Sequence, residues 1–114
     1  LESVEENGQV VTVEGNTDIV DGIRVIHTPV HTEGGLTVLV QTTAGTAAIT
    51  GFCVIDENFN PPKEARAMEM EVIPPGTVVN SYRAYDIMQA VRSIADILIP
   101  LHEPKFAAID TLPE

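Results

Sequence analysis

Three histidines, His27, His31 and His102, carry most of the chemistry open to this chain. His31 lies in Thr28-Pro29-Val30-His31-Thr32-Glu33-Gly34-Gly35, and His102 in Ile99-Pro100-Leu101-His102-Glu103-Pro104. Each of these two follows a run that reads as a β-strand. Strand ends feeding loops hold functional side chains on a rigid sheet while leaving them open to solvent. Imidazole is the commonest side-chain ligand for zinc, and a metal site gathers its donors from separate elements. The competing reading is a histidine hydrogen-bonded locally near a turn, and spacing alone does not decide between the two. His27 and His31 are four apart, but Pro29 between them excludes a helical metal pair. That makes His27 a packed side chain, or a hydrogen-bond partner behind a ligand, rather than a ligand itself.

Cys53 is the single cysteine. As a thiolate it is a soft donor suited to zinc or iron; as a thiol it packs as a small buried hydrophobe. One cysteine rules out an internal disulfide framework and fits a reducing, cytoplasmic compartment. Glu33 and Glu103 flank the candidate ligands. They read either as proton carriers or hydrogen-bond acceptors behind the ligands, or as solvated loop charges in an acidic chain.

The elements that must position these residues are legible in part. Residues 1–8 form an unpatterned acidic leading segment. Val10 to Val13 alternates as a short strand ending at Glu14-Gly15-Asn16, and Ile19-Val20-Asp21-Gly22 approaches a turn. Ile23 to His27 predicts a strand with Ile23, Val25 and His27 on one face, stopped by Pro29. Leu36–Thr42 and Thr46–Gly51 predict a hairpin that reverses at Thr43-Ala44-Gly45. Residues 56–63 have loop composition, and Pro74-Pro75-Gly76 marks a second break.

From Ser81 to Ala95 the period becomes helical, with Ile87, Met88, Val91, Ile94 and Ala95 on one stripe and Asn80 or Ser81 as N-cap. Tyr82 and Tyr85 open this helix and are expected to pack in the core. Asp96 to Pro100 predicts a short, fully buried strand. Strands, helix and strand in that order place the chain in the mixed α/β class.

Length and charge bound the function. A chain of 114 residues allows one domain with a real core. Seventeen acidic against six basic side chains give a formal net charge of -11. The six basic residues are scattered, so neither nucleic acid nor an anionic membrane is an expected partner. No run of about 18 apolar residues is present to span a bilayer. The chain opens at Leu1 without Met or a leader pattern, which suggests a piece of something longer.

Taken together, Asp21-Gly22-Ile23-Arg24-Val25-Ile26-His27 running into the His31 turn, then a hairpin, Ile49-Thr50-Gly51, a helix, a strand and Pro100-Leu101-His102-Glu103-Pro104 resemble the metallo-β-lactamase fold. The similarity is to its hydrolases of the N-acyl homoserine lactonase-like branch. It covers roughly residues 9–105. In that family a Thr-Pro-Gly-His-Thr-x-Gly turn supplies a metal ligand, matching His31, and a late His before Asp-Pro supplies another, matching His102. The resemblance implies that residues 1–114 are one domain, the C-terminal half of an αββα sandwich. Asn58-Phe59 matches a pair that shapes the loop after the hairpin.

Three departures accompany the match. The His-x-His-x-Asp-His signature of the two-metal centre is absent and is expected upstream. The glycine before the ligand histidine is Val30, which disfavours positive φ. The bridging aspartate expected after Gly51 is missing, since the chain reads Gly51-Phe52-Cys53.

The resemblance implies a metal-dependent hydrolase in which a hydroxide on two zinc ions attacks an ester, lactone or thioester of a small-molecule substrate. His31 and His102 are then ligands, with Cys53 a possible third. The chain alone is expected to bind metal weakly or not at all and to be inactive. Two other functions fit: a non-catalytic binding or assembly domain on the same fold, and a mononuclear iron oxidoreductase using Cys53. An isolated half would expose Val38, Val40, Ile49, Ile97 and Ile99. It would therefore form a homo-oligomer or pair with the missing N-terminal half.

Overall fold

The computed structural model describes Gly8, Thr12, Val13 and residues 15–111. Its strands are β1 (Thr17–Val20), β2 (Ile23–His27), β3 (Leu36–Thr42), β4 (Gly45–Ile49) and β5 (Ile97–Ile99). Its helices are α1 (Asp56–Phe59), α2 (Lys63–Ala67) and α3 (Ser81–Ile94), followed by a 3-10 turn at Pro104–Ala108. The five strands form one sheet in the order β1-β2-β3-β4-β5. β1 to β4 pair antiparallel in succession, and β5 joins parallel to β4 after the helical crossover. A parallel neighbour needs such a crossover, and α1 to α3 supply it.

Register divides the apolar residues between two faces. Val25 pairs with Val38, Val38 with Ile49, Val40 with Ala47, Ala47 with Ile97, and Ile49 with Ile99, all on one face. The other face carries Ile26, Leu39, Ala48 and Leu98, which pack on Ala84, Met88 and Val91 of α3. Those three helix residues recur at intervals of four and three, the spacing of a buried helical stripe. The same core takes in Val30, Phe52, Val54, Phe59 and Val72 from the loops. None of the first-face residues joins that core.

The helix begins where expected, because the Asn80 side-chain oxygen accepts from the Arg83 N–H at 3.0 Å. The stripe is narrower at its end: Ile94 is exposed, lying in the last turn beyond the sheet's cover. Tyr82, expected in the core, is 88% exposed, because at the first turn of α3 it points away from the Ala84, Met88 and Val91 stripe. Tyr85 does pack against the core, and its hydroxyl accepts from the Glu71 N–H at 3.3 Å. The short strand at Ile97–Ile99 is only partly buried, since it edges the sheet.

Residues 56–63, expected as loop, contain α1 and the start of α2. α1 is held by partners rather than by propensity. Asn58 accepts from the Ile55 N–H at 2.9 Å and donates to the Ile73 carbonyl at 2.8 Å. Phe59 then packs on Phe52 with ring centroids 6.2 Å apart. Ile19 and Val20 belong to β1, with the turn following at Asp21-Gly22. Of the strand expected at Val10 to Val13, Thr12 and Val13 are not in a strand, and Val10 and Val11 lie outside the described residues.

Candidate metal centre

Strand direction decides where the candidate ligands go. β2 and β4 are each antiparallel to β3, and β5 is parallel to β4, so β2, β4 and β5 run the same way. His31 follows β2, Cys53 follows β4 and His102 follows β5. All three therefore leave the sheet at one end. β2 and β5 are three strand spacings apart, about 14 Å between their axes, so the loops themselves must close the remaining gap.

Those loops are tied to one another. Thr50 donates its backbone N–H to the Ile99 carbonyl at 3.2 Å. Its hydroxyl donates to the Phe52 carbonyl and accepts from the Leu101 N–H. The His102 N–H donates to the Val54 carbonyl at 3.0 Å. The segments carrying Cys53 and His102 thus run side by side. Val30, buried in the same core as Phe52 and Val54, joins the His31 loop to them.

The His31 loop is braced at several points. At its base the Thr28 N–H donates to the Gly35 carbonyl at 2.8 Å, and the buried Thr28 and Thr37 hydroxyls meet at 2.9 Å. The ring of His27 contacts the Glu33 carbonyl through Nε2 at 2.6 Å. From far along the chain, the Val79 N–H donates to the Val30 carbonyl at 2.9 Å, and His31 Nδ1 lies 3.1 Å from the Thr77 carbonyl. His31 is half-buried, while His27 and His102 are exposed.

Each departure from the family pattern has a structural consequence. Val30 is fully buried and is not at positive φ, so the residue that replaces glycine anchors the loop instead of straining it. Phe52, following Gly51, is fully buried against Phe59 and offers no donor. A Cβ at Gly51 would collide with the Leu36 carbonyl oxygen of the neighbouring strand. Cys53 is exposed, not packed as a small hydrophobe. The reason is alternation: Phe52 and Val54 turn inward, which turns Cys53 and Ile55 outward.

The two flanking carboxylates have different surroundings. Glu33 meets Arg83 on the surface at 3.4 Å. Glu103 accepts from the Asp56 N–H at 2.8 Å and from the Lys105 N–H at 3.3 Å, so it fastens the segment after His102 to the start of α1. The structure also shows what the sequence does not: the Thr77 carbonyl as a partner of His31. A main-chain acceptor 46 positions away has no side-chain signature.

Among the described residues, no three His, Cys, Asp or Glu side chains gather closely enough to hold a metal ion. Of the candidate donors, His31 has the one ring whose free nitrogen is fixed by a backbone partner at this end of the sheet. A carbonyl oxygen only accepts, so the Thr77 contact uses His31 Nδ1–H and leaves the Nε2 lone pair for a ligand. Zinc takes three or four protein donors, a set that the described residues do not bring together. No helix among the described residues is long and apolar enough to cross a membrane.

No protein-family model matches the chain, and no curated protein matches it. Solved structures do. A 1.4 Å structure of an N-acyl homoserine lactone hydrolase, with the product N-hexanoyl-L-homoserine bound at its catalytic metal centre, is 19% identical with a TM-score of 0.60. The match covers 90% of this chain and 39% of that one. A quorum-quenching N-acyl homoserine lactone hydrolase is 20% identical with a TM-score of 0.61, over 90% and 40% of the two chains. A B. thuringiensis AiiA variant with N-decanoyl-L-homoserine at its active site matches at 19% identity and a TM-score of 0.60, over 90% and 39%. The chain thus has the fold of part of these enzymes, the metallo-β-lactamase fold, and spans about two-fifths of their length.

Proposed function

We propose that residues 1–114 are the C-terminal half of a metal-dependent hydrolase that opens an ester, lactone or thioester of a small molecule. The observation that supports this most is the departure of His31 and His102 from the same end of one sheet, on co-directional strands β2 and β5. Two imidazoles held by a rigid sheet are two of the donors that zinc requires. When bound, the metal would lower the pKa of a water molecule toward neutrality and polarise the substrate carbonyl. Within this chain, His31 and His102 hold the metal, His27 and the Thr77 carbonyl fix the His31 loop, and Glu103 fixes the loop of His102. Cys53 is a candidate third donor, exposed at the same end of the sheet. The substrate class follows the fold neighbours, one of which holds N-hexanoyl-L-homoserine at its metal centre.

The remaining donors come, in this reading, from an N-terminal half that packs on the first face of the sheet. That face carries Ile23, Val38, Val40, Ile49, Ile97 and Ile99, none of them in the α3 core. An exposed free thiol at Cys53 agrees with a reducing, cytoplasmic setting.

A second reading is favoured by one observation. Buried Phe52 stands where the bridging carboxylate is expected, which suits a binding or assembly domain on this fold, or a single iron held with Cys53. Metal analysis of the longest natural form separates the readings. Two zinc-like ions per chain are expected for the hydrolase, with hydrolysis of an acyl lactone lost on chelation and restored by zinc. One iron would replace that reading by the oxidoreductase, and no metal by the binding role.

A further inference from the structure

We infer that the main-chain carbonyl of Thr77 is a positioning group that sets the tautomer of His31. The segment at Thr77–Val79 touches the His31 loop twice: Val79 N–H to the Val30 carbonyl at 2.9 Å, and the Thr77 carbonyl to His31 Nδ1 at 3.1 Å. These contacts flank one peptide unit, so the backbone before the ring and the ring itself are held together. Because a carbonyl has no proton to give, the neutral ring carries its hydrogen on Nδ1 and its lone pair on Nε2. A free histidine side chain in water prefers the opposite arrangement.

His27 serves as an internal contrast. Its Nε2 faces the Glu33 carbonyl at 2.6 Å, which places the hydrogen on Nε2 and the lone pair on Nδ1. Two histidines four residues apart therefore hold opposite tautomers, each set by a backbone carbonyl. His27 is committed to bracing the loop, whereas His31 is left with Nε2 free. In this way the segment after Pro74-Pro75-Gly76, which contributes no titratable side chain to the site, selects the donor atom. The use of that atom as a metal ligand rests on the function proposed above; the tautomer does not.

The test is long-range proton–nitrogen NMR on the full 114-residue chain with ring-labelled histidine, about two pH units above the ordinary histidine pKa. The expected result is a protonated Nδ1 and bare Nε2 for His31, with the reverse for His27. A His31 ring protonated on Nε2, or averaging between tautomers as free histidine does, would overturn the inference. A purely structural loop contact between 77–79 and 30 would hold the backbone without fixing the ring. Added zinc then tests the functional reading separately. Selective displacement of the His31 Nε2 resonance supports both. The expected tautomer with no response to zinc, in the longest natural form, leaves the positioning role standing and removes the metal role.

Discussion

At the scale of single residues, side-chain hydrogen bonding distinguishes His102 from His27 and His31, whose rings each meet a backbone carbonyl. His102 is exposed and gives no side-chain hydrogen bond to the fold among those described. His102→Ala is therefore expected to change folding stability by no more than about 0.5 kcal/mol. Metal uptake by the complete protein should fall sharply at the same time, as denaturation midpoints set beside zinc titrations would reveal. Gly51→Ala should behave in the opposite way. Its Cβ would press on the Leu36 carbonyl, and the strands must shift, at about 1–3 kcal/mol. Equal midpoints for Gly51→Ala and wild type in urea would refute the close approach of β3 to that turn.

His31 and His102 stand out as candidates in the sequence because both follow strand-forming runs that end near proline, and the structure places both after co-directional strands. The exposure of Cys53 was not read from the sequence, although the alternation of Phe52, Cys53, Val54 and Ile55 carries it. What no residue type announced was the partner of His31, since every residue carries a carbonyl and only the fold decides which one faces a ring.

At the scale of elements, long patterned segments were read well and short ones poorly. The β3–β4 hairpin and α3 stand within one or two residues of their expected bounds, because a seven-residue run rich in Val, Leu and Thr or four helical turns leave little ambiguity. α1, at four residues, has no periodicity to read. It forms because Asn58 bridges Ile55 and Ile73 while Glu103 accepts from Asp56. Asn58→Ala removes both side-chain bonds and should destabilise the protein by about 1–2 kcal/mol, with exchange of the Ile55 amide quickened beyond that of α3. Uniform exchange across both helices would show that α1 does not depend on Asn58.

The parallel pairing of β5 rests on a similar device. Asp96 accepts from the Thr46 N–H through its carboxylate and donates its own N–H to the Thr46 carbonyl, both at 2.8 Å. This pair sets the register that carries His102 to the same end as His31. Asp96→Ala should cost about 1 kcal/mol, and a larger loss of metal binding than of stability would mark the slip of β5.

At the scale of the whole molecule, the helical core among the described residues lies on one face of the sheet. α3 and the loop residues pack on Ile26, Leu39, Ala48 and Leu98; on the other face Val25 and Ala47 are buried, Ile49 is exposed, and Val38, Val40, Ile97 and Ile99 are half-buried without joining that core. A continuous apolar face of this kind drives association. The chain on its own should self-associate in sedimentation velocity despite a net charge of -11, and joining it to its upstream segment should abolish that. A strictly monomeric 12.3 kDa species would mean that the face is not a docking surface. The half-sandwich was suggested by the order of motifs, and the solved structures, matched over about two-fifths of their length, carry the same fold.

The central claim is that His31 and His102 serve one metal centre. Cobalt(II) bound to the longest natural form tests it most directly, because a paramagnetic ion shifts and broadens only the nuclei close to it. The expected result is a cobalt-loaded centre that perturbs the ring resonances of both His31 and His102. Full cobalt loading that perturbs one ring and leaves the other unchanged, or that touches neither, would contradict it.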